Sequence, residues 1–134
     1  MIKALDFLVL LAYCLFIYSL SNQATLTPPM LFDYSDKFYH AGAYFVLGLL
    51  LWRTLRHTTR SPIILALFCA GAGSLFGATD EWHQSFVPGR SSDIIDWLAD
   101  SIGAGLAALY LYQYQRFWQN KRFPRSIPCP KTSK

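Results

Sequence analysis

Charge is scarce in this chain. Asp, Glu, Lys and Arg make up 15% of its 134 residues, against roughly 25% in soluble domains, while 53% of the residues are hydrophobic and 16% aromatic. Such a balance speaks against a soluble, charge-covered globule. Cysteine is sparse too. Cys14, Cys69 and Cys129 form no CxxC pair, so neither a disulfide framework nor a standard zinc spacing is indicated. No serine sits in a nucleophile-elbow motif, and neither an internal repeat nor a low-complexity run precedes the C-terminal tail.

Apolar length is what the chain does have. Four runs, about 7–20, 38–55, 62–78 and 94–114, lie near the roughly 17–25 residues that cross a bilayer. The run "PIILALFCAGAGSLFGA" carries no charge and lacks the polar face that a helix of a soluble four-helix bundle shows every 3.6 residues. The expected fold class is therefore all-α: one integral membrane bundle of about four transmembrane helices, over about 4–20, 38–55, 62–78 and 94–114. The domain is expected to span residues 1–115, with 116–134 a basic, partly disordered cytoplasmic tail. The first run is read as a retained anchor helix rather than a signal peptide, although Lys3 and the small residues of "SLSNQA" resemble one.

The few charges are segregated. Of the 12 Lys and Arg, all but Lys37 and Arg90 lie at Lys3, at Arg53, Arg56 and Arg60, or in the tail from Arg116 to Lys134. With four spans these places share one side, which the positive-inside rule makes cytoplasmic, so both termini are expected inside. Of the 8 acids, all but Asp6 fall at the opposite helix ends: Asp33, Asp36, Asp80, Glu81, Asp93, Asp96 and Asp100. The net charge of +4 is thus an orientation signal and an attraction to anionic lipid rather than a nucleic-acid footprint.

Part of this acidity is explained by structure alone. Asp93 is placed to cap the last helix with Asp96 in its first turn, Ser35 or Asp36 to cap the second, and Ser61 with Pro62 to open the third. "VPGR" reads as a tight turn with Pro88 and Gly89 at its corners. Capping does not reach Asp100 or His40, which lie inside their helices, where ionisable groups need a partner or a cavity. Asp93, Asp96 and Asp100 share one helix face; Lys37, His40 and Tyr44 share another. Gly71, Gly73, Gly77, Gly103, Gly105 and Ala107 supply small-residue faces through which membrane helices approach closely.

"DKFYHAGAY" and "DEWHQSFVPGRSSDIIDW" together resemble the VanZ-like membrane proteins, a family named for a protein linked to teicoplanin resistance. The resemblance covers roughly residues 33–110. It implies a small multi-helix membrane protein with signature residues Asp36, Lys37, His40, Tyr44, Asp80, Glu81, Gln84, Phe86, Arg90, Asp93 and Asp96. Asp100 is a departure, since the family often carries an amide at that place.

The leading functional expectation is a polar site at the outer face of a bacterial inner membrane. It would recognise the head group of a lipid, a lipid-linked cell-wall precursor or a lipoglycopeptide, a role the resemblance connects to glycopeptide resistance. Lys37, His40, Tyr44, Asp80, Glu81, Gln84, Arg90, Asp93, Asp96 and Asp100 are the candidate binding residues, with Lys37 and Arg90 as holders of phosphate or carboxylate. The simpler role for Arg90 is to neutralise Asp93 and Asp96. An enzyme that modifies such a head group, with His40 or Glu81 as general base, is the alternative; a small transporter or proton-coupled channel is a third class. The expected partners are membrane lipids or lipid-linked amphiphiles and not nucleic acid. No cofactor or metal is expected, although a metal-assisted enzyme would draw on His40, Asp80, Glu81, His83 and Asp96.

Overall fold

Helix signals and their stops divide the chain into α1 (Ile2–Ser21), α2 (Ser35–Leu55), α3 (Pro62–Gln84) and α4 (Ile94–Arg122) in the computed structural model, which describes residues 2–23 and 35–122. No strand occurs among the described residues. Asp33 and tail residues 123–134 lie outside them. Residues 116–122, assigned to the tail by composition, continue α4 as helix.

Local chemistry accounts for the ends. Pro62, at the first helical position of α3, has a fixed φ suited to a helix start and no N–H to leave unpaired. Ser61 stands at the N-cap, but its side chain makes no capping bond. Asp93 does cap α4: its Oδ1 accepts from the Ile95 N–H at 2.9 Å, while its carbonyl accepts from the Asp96 N–H at 3.0 Å. Between α3 and α4 the Arg90 N–H closes a turn onto the Val87 carbonyl at 3.1 Å. Gly89 takes the left-handed corner of that turn with φ 84°, the requirement of a type II turn that glycine meets without a Cβ clash.

Helix α4 packs chiefly against α2 and α3, while α1 lies mainly along α2. Interfaces of α4 are built on glycine. A Cβ on Gly48 would stand 2.7 Å from that of Ala107, one on Gly77 would stand 3.0 Å from Asp100 Oδ2, and one on Gly103 would overlap the Ala41 carbonyl. Gly71 and Gly105, by contrast, face open space. The small-residue faces are therefore narrower than composition suggests, with Gly73 and Gly77 of α3 and Gly103, Ala104, Ala107 and Ala108 of α4 in the seams. Around Trp52, Leu65, Cys69 and Ala108 the three helices form an apolar core, and Ile17, Tyr44 and Leu47 form a second against α1.

The outside is apolar as well. Leu8 and Leu15 on α1, Leu67, Phe68 and Leu75 on α3, and Ile102, Leu106 and Leu109 on α4 are all exposed. Water-soluble monomers rarely leave patches larger than a few hundred Å² of this kind. Three helices, α1, α3 and α4, are long and apolar enough to cross a membrane. Helix α2, expected as a fourth span, is the exception. His40 and Arg53 interrupt its apolar stretch, and its polar groups turn toward partners on α1 and α4.

Candidate functional site

The start of α2, the end of α3 and the start of α4 meet at one end of the bundle, which is why acids far apart in sequence become neighbours. Lys37 is the hub. Its ammonium lies 3.1 Å from Asp36, 2.8 Å from Asp93 Oδ2 and 2.6 Å from Asp96 Oδ1, so its three N–H groups each have a carboxylate in reach. One turn deeper, His40 Nδ1 lies 3.0 Å from Asp100 Oδ1, and its Nε2 lies 4.0 Å from Asp96 Oδ1. Asp100 is wholly buried, at 0% exposure, and Glu81 nearly so, at 4%.

Helix α3 supplies the third wall. Glu81 Oε2 accepts from the Asp93 N–H at 2.8 Å, a bond that ties α3 to the N-terminus of α4. Gln84 Nε2 donates to Asp80 Oδ2 one turn away at 3.2 Å. The hydroxyl of Tyr44, Asp100 Oδ2 and Glu81 Oε1 are buried with no hydrogen-bond partner among the described residues, and such orphaned groups cost free energy unless something pairs with them. At the rim, the Lys37 hydrogen bond and then the Ile95 N–H hold the Asp93 carboxyl below its usual range.

Two clefts flank this cluster. One of about 340 Å³ runs between the end of α3 and the start of α4, lined by Glu81, Ser85, Ser92 and Asp93 on its polar side and by Trp82, Ile94 and Trp97 on its apolar side. The other, about 360 Å³, is lined by Tyr18, Phe76, Thr79, Asp80, Trp82 and Phe86 together with His83. Trp82 and Phe86, both exposed, meet edge to face at 5.6 Å between them.

A family model, VanZ/LLP1, matches residues 6–117. The chain belongs to the VanZ/LLP1 family. No match was found among curated proteins or among solved structures. As a VanZ-like membrane protein it carries most of the residues singled out in its sequence in one three-helix cluster: Lys37, His40, Tyr44, Asp80, Glu81, Gln84, Asp93, Asp96 and Asp100.

Arg90 stands apart from that group in the VanZ-like site. Its Nη2 donates to the Leu20 carbonyl at 3.2 Å, clamping the turn to the end of α1, and among the described residues it makes no ion pair. Neutralising Asp93 and Asp96, one role expected of Arg90, falls to Lys37 instead, because the α2 start lies over the α4 face that carries both acids. His83 also turns away, its ring stacked on Tyr18 at 4.5 Å.

A second polar pairing lies at the other end of α2. Asp6, buried in α1, accepts from Arg53 Nε at 2.7 Å, and its carbonyl accepts from Thr54 Oγ1 at 3.2 Å. Sequence reasoning passed over Asp6 as the single acid on the basic side. The signal was present: one carboxylate inside an apolar run implies a partner, and Arg53 is the basic residue at the matching end of the next helix.

Proposed function

We propose that the α2–α3–α4 cluster recognises the polar head group of a membrane amphiphile, with the cleft between α3 and α4 as its entrance. The observation that carries this reading is Glu81. It is a buried carboxylate with one oxygen unpartnered among the described residues, at a cleft that Trp82, Ile94 and Trp97 also wall. An acyl chain fits the apolar wall, while Glu81, Ser85 and Ser92 offer acceptors and hydroxyls to a head group rich in hydroxyl, amide or amine donors. Exposed tryptophan at that height suits a membrane–water boundary.

Asp36, Asp80, Glu81, Asp93, Asp96 and Asp100 outnumber Lys37 and His40 here, which disfavours an isolated phosphate as the direct ligand and favours donor groups of a sugar, peptide or amine head. The distribution of Lys and Arg, which lie mostly away from the acid-rich end of the bundle, supports a site on the outer face of the membrane. A contribution to glycopeptide resistance follows if the amphiphile is a wall precursor or a lipoglycopeptide.

The test is mass spectrometry of the intact protein released gently from membranes with its bound species. Wild type is expected to retain a stoichiometric amphiphile. Ser92→Trp, which fills the cleft, is expected to lose it. Retention of the same species by Ser92→Trp and Trp82→Ala would rule the cleft out as the binding place.

A further inference from the structure

We propose that His40, Glu81 and Asp100 form a binding site for a divalent transition-metal cation, with Mn²⁺ or Zn²⁺ as the fitting class. One ligand atom from each residue lies within 4.8 Å of the other two. Ligands bound to one ion at roughly 2.0–2.2 Å stand about 3.0 Å apart when adjacent in an octahedron and about 4.2 Å apart when opposite. The His40 Nδ1 to Asp100 Oδ1 separation of 3.0 Å already equals an adjacent pair. The Glu81 atom lies within 4.8 Å of both, so a side-chain shift brings it to the ion.

Burial supplies the independent argument. Asp100 is 0% exposed and Glu81 is 4% exposed, yet Oδ2 of the first and Oε1 of the second accept no hydrogen bond. Lys37, the nearest cation on α2, is already shared by Asp36, Asp93 and Asp96. His40 is the one basic group in contact with Asp100, at 3.0 Å from Oδ1, and a single imidazole cannot balance two buried carboxylates, whereas a 2+ ion neutralises both at once. The Tyr44 hydroxyl, on a residue 2% exposed, is also unpartnered. Its ring and Asp100 Oδ2 border the same point beside Gly77, at 3.3 Å and 3.0 Å from where a Cβ would stand. A side chain at residue 77 would occupy space needed by Asp100.

The surroundings resemble those of metal-binding histidines, whose second nitrogen faces a carboxylate that orients the ring. With Nδ1 on the ion, His40 Nε2 faces Asp96 at 4.0 Å. One imidazole with two carboxylates is a borderline-hard donor set, suited to Mn²⁺ or Zn²⁺ more than to Cu⁺. Three protein ligands leave the remaining positions to water or to a ligand oxygen. The proposal shares Glu81 with the head-group cleft, but it stands without an amphiphile.

The experiment uses the full chain in detergent micelles, stripped with chelator and then titrated with Mn²⁺ while the free-ion electron paramagnetic resonance signal is followed. One ion per chain is expected to disappear from the free pool, with nitrogen coupling from His40 in the bound spectrum and a rise in thermal stability. Asp100→Asn and Glu81→Gln, which preserve shape, are each expected to weaken binding at least 10-fold, and Gly105→Ala, at a position facing open space, is expected to leave it unchanged. Absence of Mn²⁺ and Zn²⁺ binding in wild type would overturn the proposal. So would binding that survives both carboxamide variants or shows no nitrogen coupling. Should one variant fail to fold, the other and the wild-type spectrum still decide. Because no lipid enters the assay, a negative result leaves the amphiphile mass measurement standing, and loss of the amphiphile in Ser92→Trp says nothing against the ion.

Discussion

Replacing Gly103 by alanine tests how closely the site depends on helix contact. A Cβ there would stand 2.9 Å from the Ala41 carbonyl carbon and 3.0 Å from its Cα, and would overlap the carbonyl oxygen. Relaxed heavy-atom contacts lie at roughly 3.5–4.0 Å, and the overlapping oxygen is the closest of the three atoms, so α2 and α4 must part by about 1 Å or more. Ala41 follows His40, and Gly103 lies one turn after Asp100, so the same displacement acts on the 3.0 Å contact between those two side chains. Stretched past 3.5 Å, that hydrogen bond is lost. Overpacking costs roughly 1–3 kcal/mol and a hydrogen bond to a charged group roughly 1.5–3 kcal/mol. The expected destabilisation is therefore about 2–5 kcal/mol, with some relief if the helices tilt. Gly105→Ala, where nothing lies within 4 Å, is the matched control, expected to change stability by less than about 0.5 kcal/mol. Equilibrium unfolding in micelles with a denaturing detergent compares the two. Equal stability of the two variants would refute the claim that α4 meets α2 through glycine at this depth.

Arg53→Ala leaves Asp6 buried without its cation. Because the Arg53 side chain is 58% exposed, the expected loss is about 1–2 kcal/mol rather than that of a fully buried pair, and adding Asp6→Asn should restore part of it in the same unfolding assay. Asp93 ionises below its usual range when folded, so its stabilising effect is complete above the ordinary carboxylate value near about 3.9 and disappears as pH falls through the lower folded value. Asp93→Asn, which still caps α4, should flatten that acid limb of a stability-versus-pH curve; an unchanged limb would show that Lys37 does not hold the charge. Gly89→Ala should cost about 1–2 kcal/mol because φ is 84° there, while Gly89→Asn should cost less, as measured by thermal unfolding.

Fold class was legible because apolar run length is a one-dimensional property. A charge-free run such as 62–78 can be satisfied only as a helix in lipid or in a core, and Pro62 marks its start, whereas α3 continues past 78 through Asp80 and Glu81 to Gln84. Membership of one polar cluster was legible too, since alternate helix direction puts the α2 start, the α3 end and the α4 start on one side. Helix periodicity then aligned Asp93, Asp96 and Asp100 on one face. Pairings were not legible. Lys37 and Arg90 carry the same charge and lie on the same side, and only the packing of α2 over α4 assigns Asp93 and Asp96 to Lys37 and sends Arg90 to the Leu20 carbonyl. Nor could spacing tell Gly77, pressed against Asp100, from Gly105, which faces open space.

Composition and periodicity thus determined that this chain is a helical membrane protein with most of its acids gathered at one end, because hydropathy and charge act on each segment separately. Which carboxylates are neutralised and which remain buried without a partner was decided by the tertiary structure. Those outcomes depend on ångström-scale distances between helices, and the distances are set by where glycine lets two backbones touch.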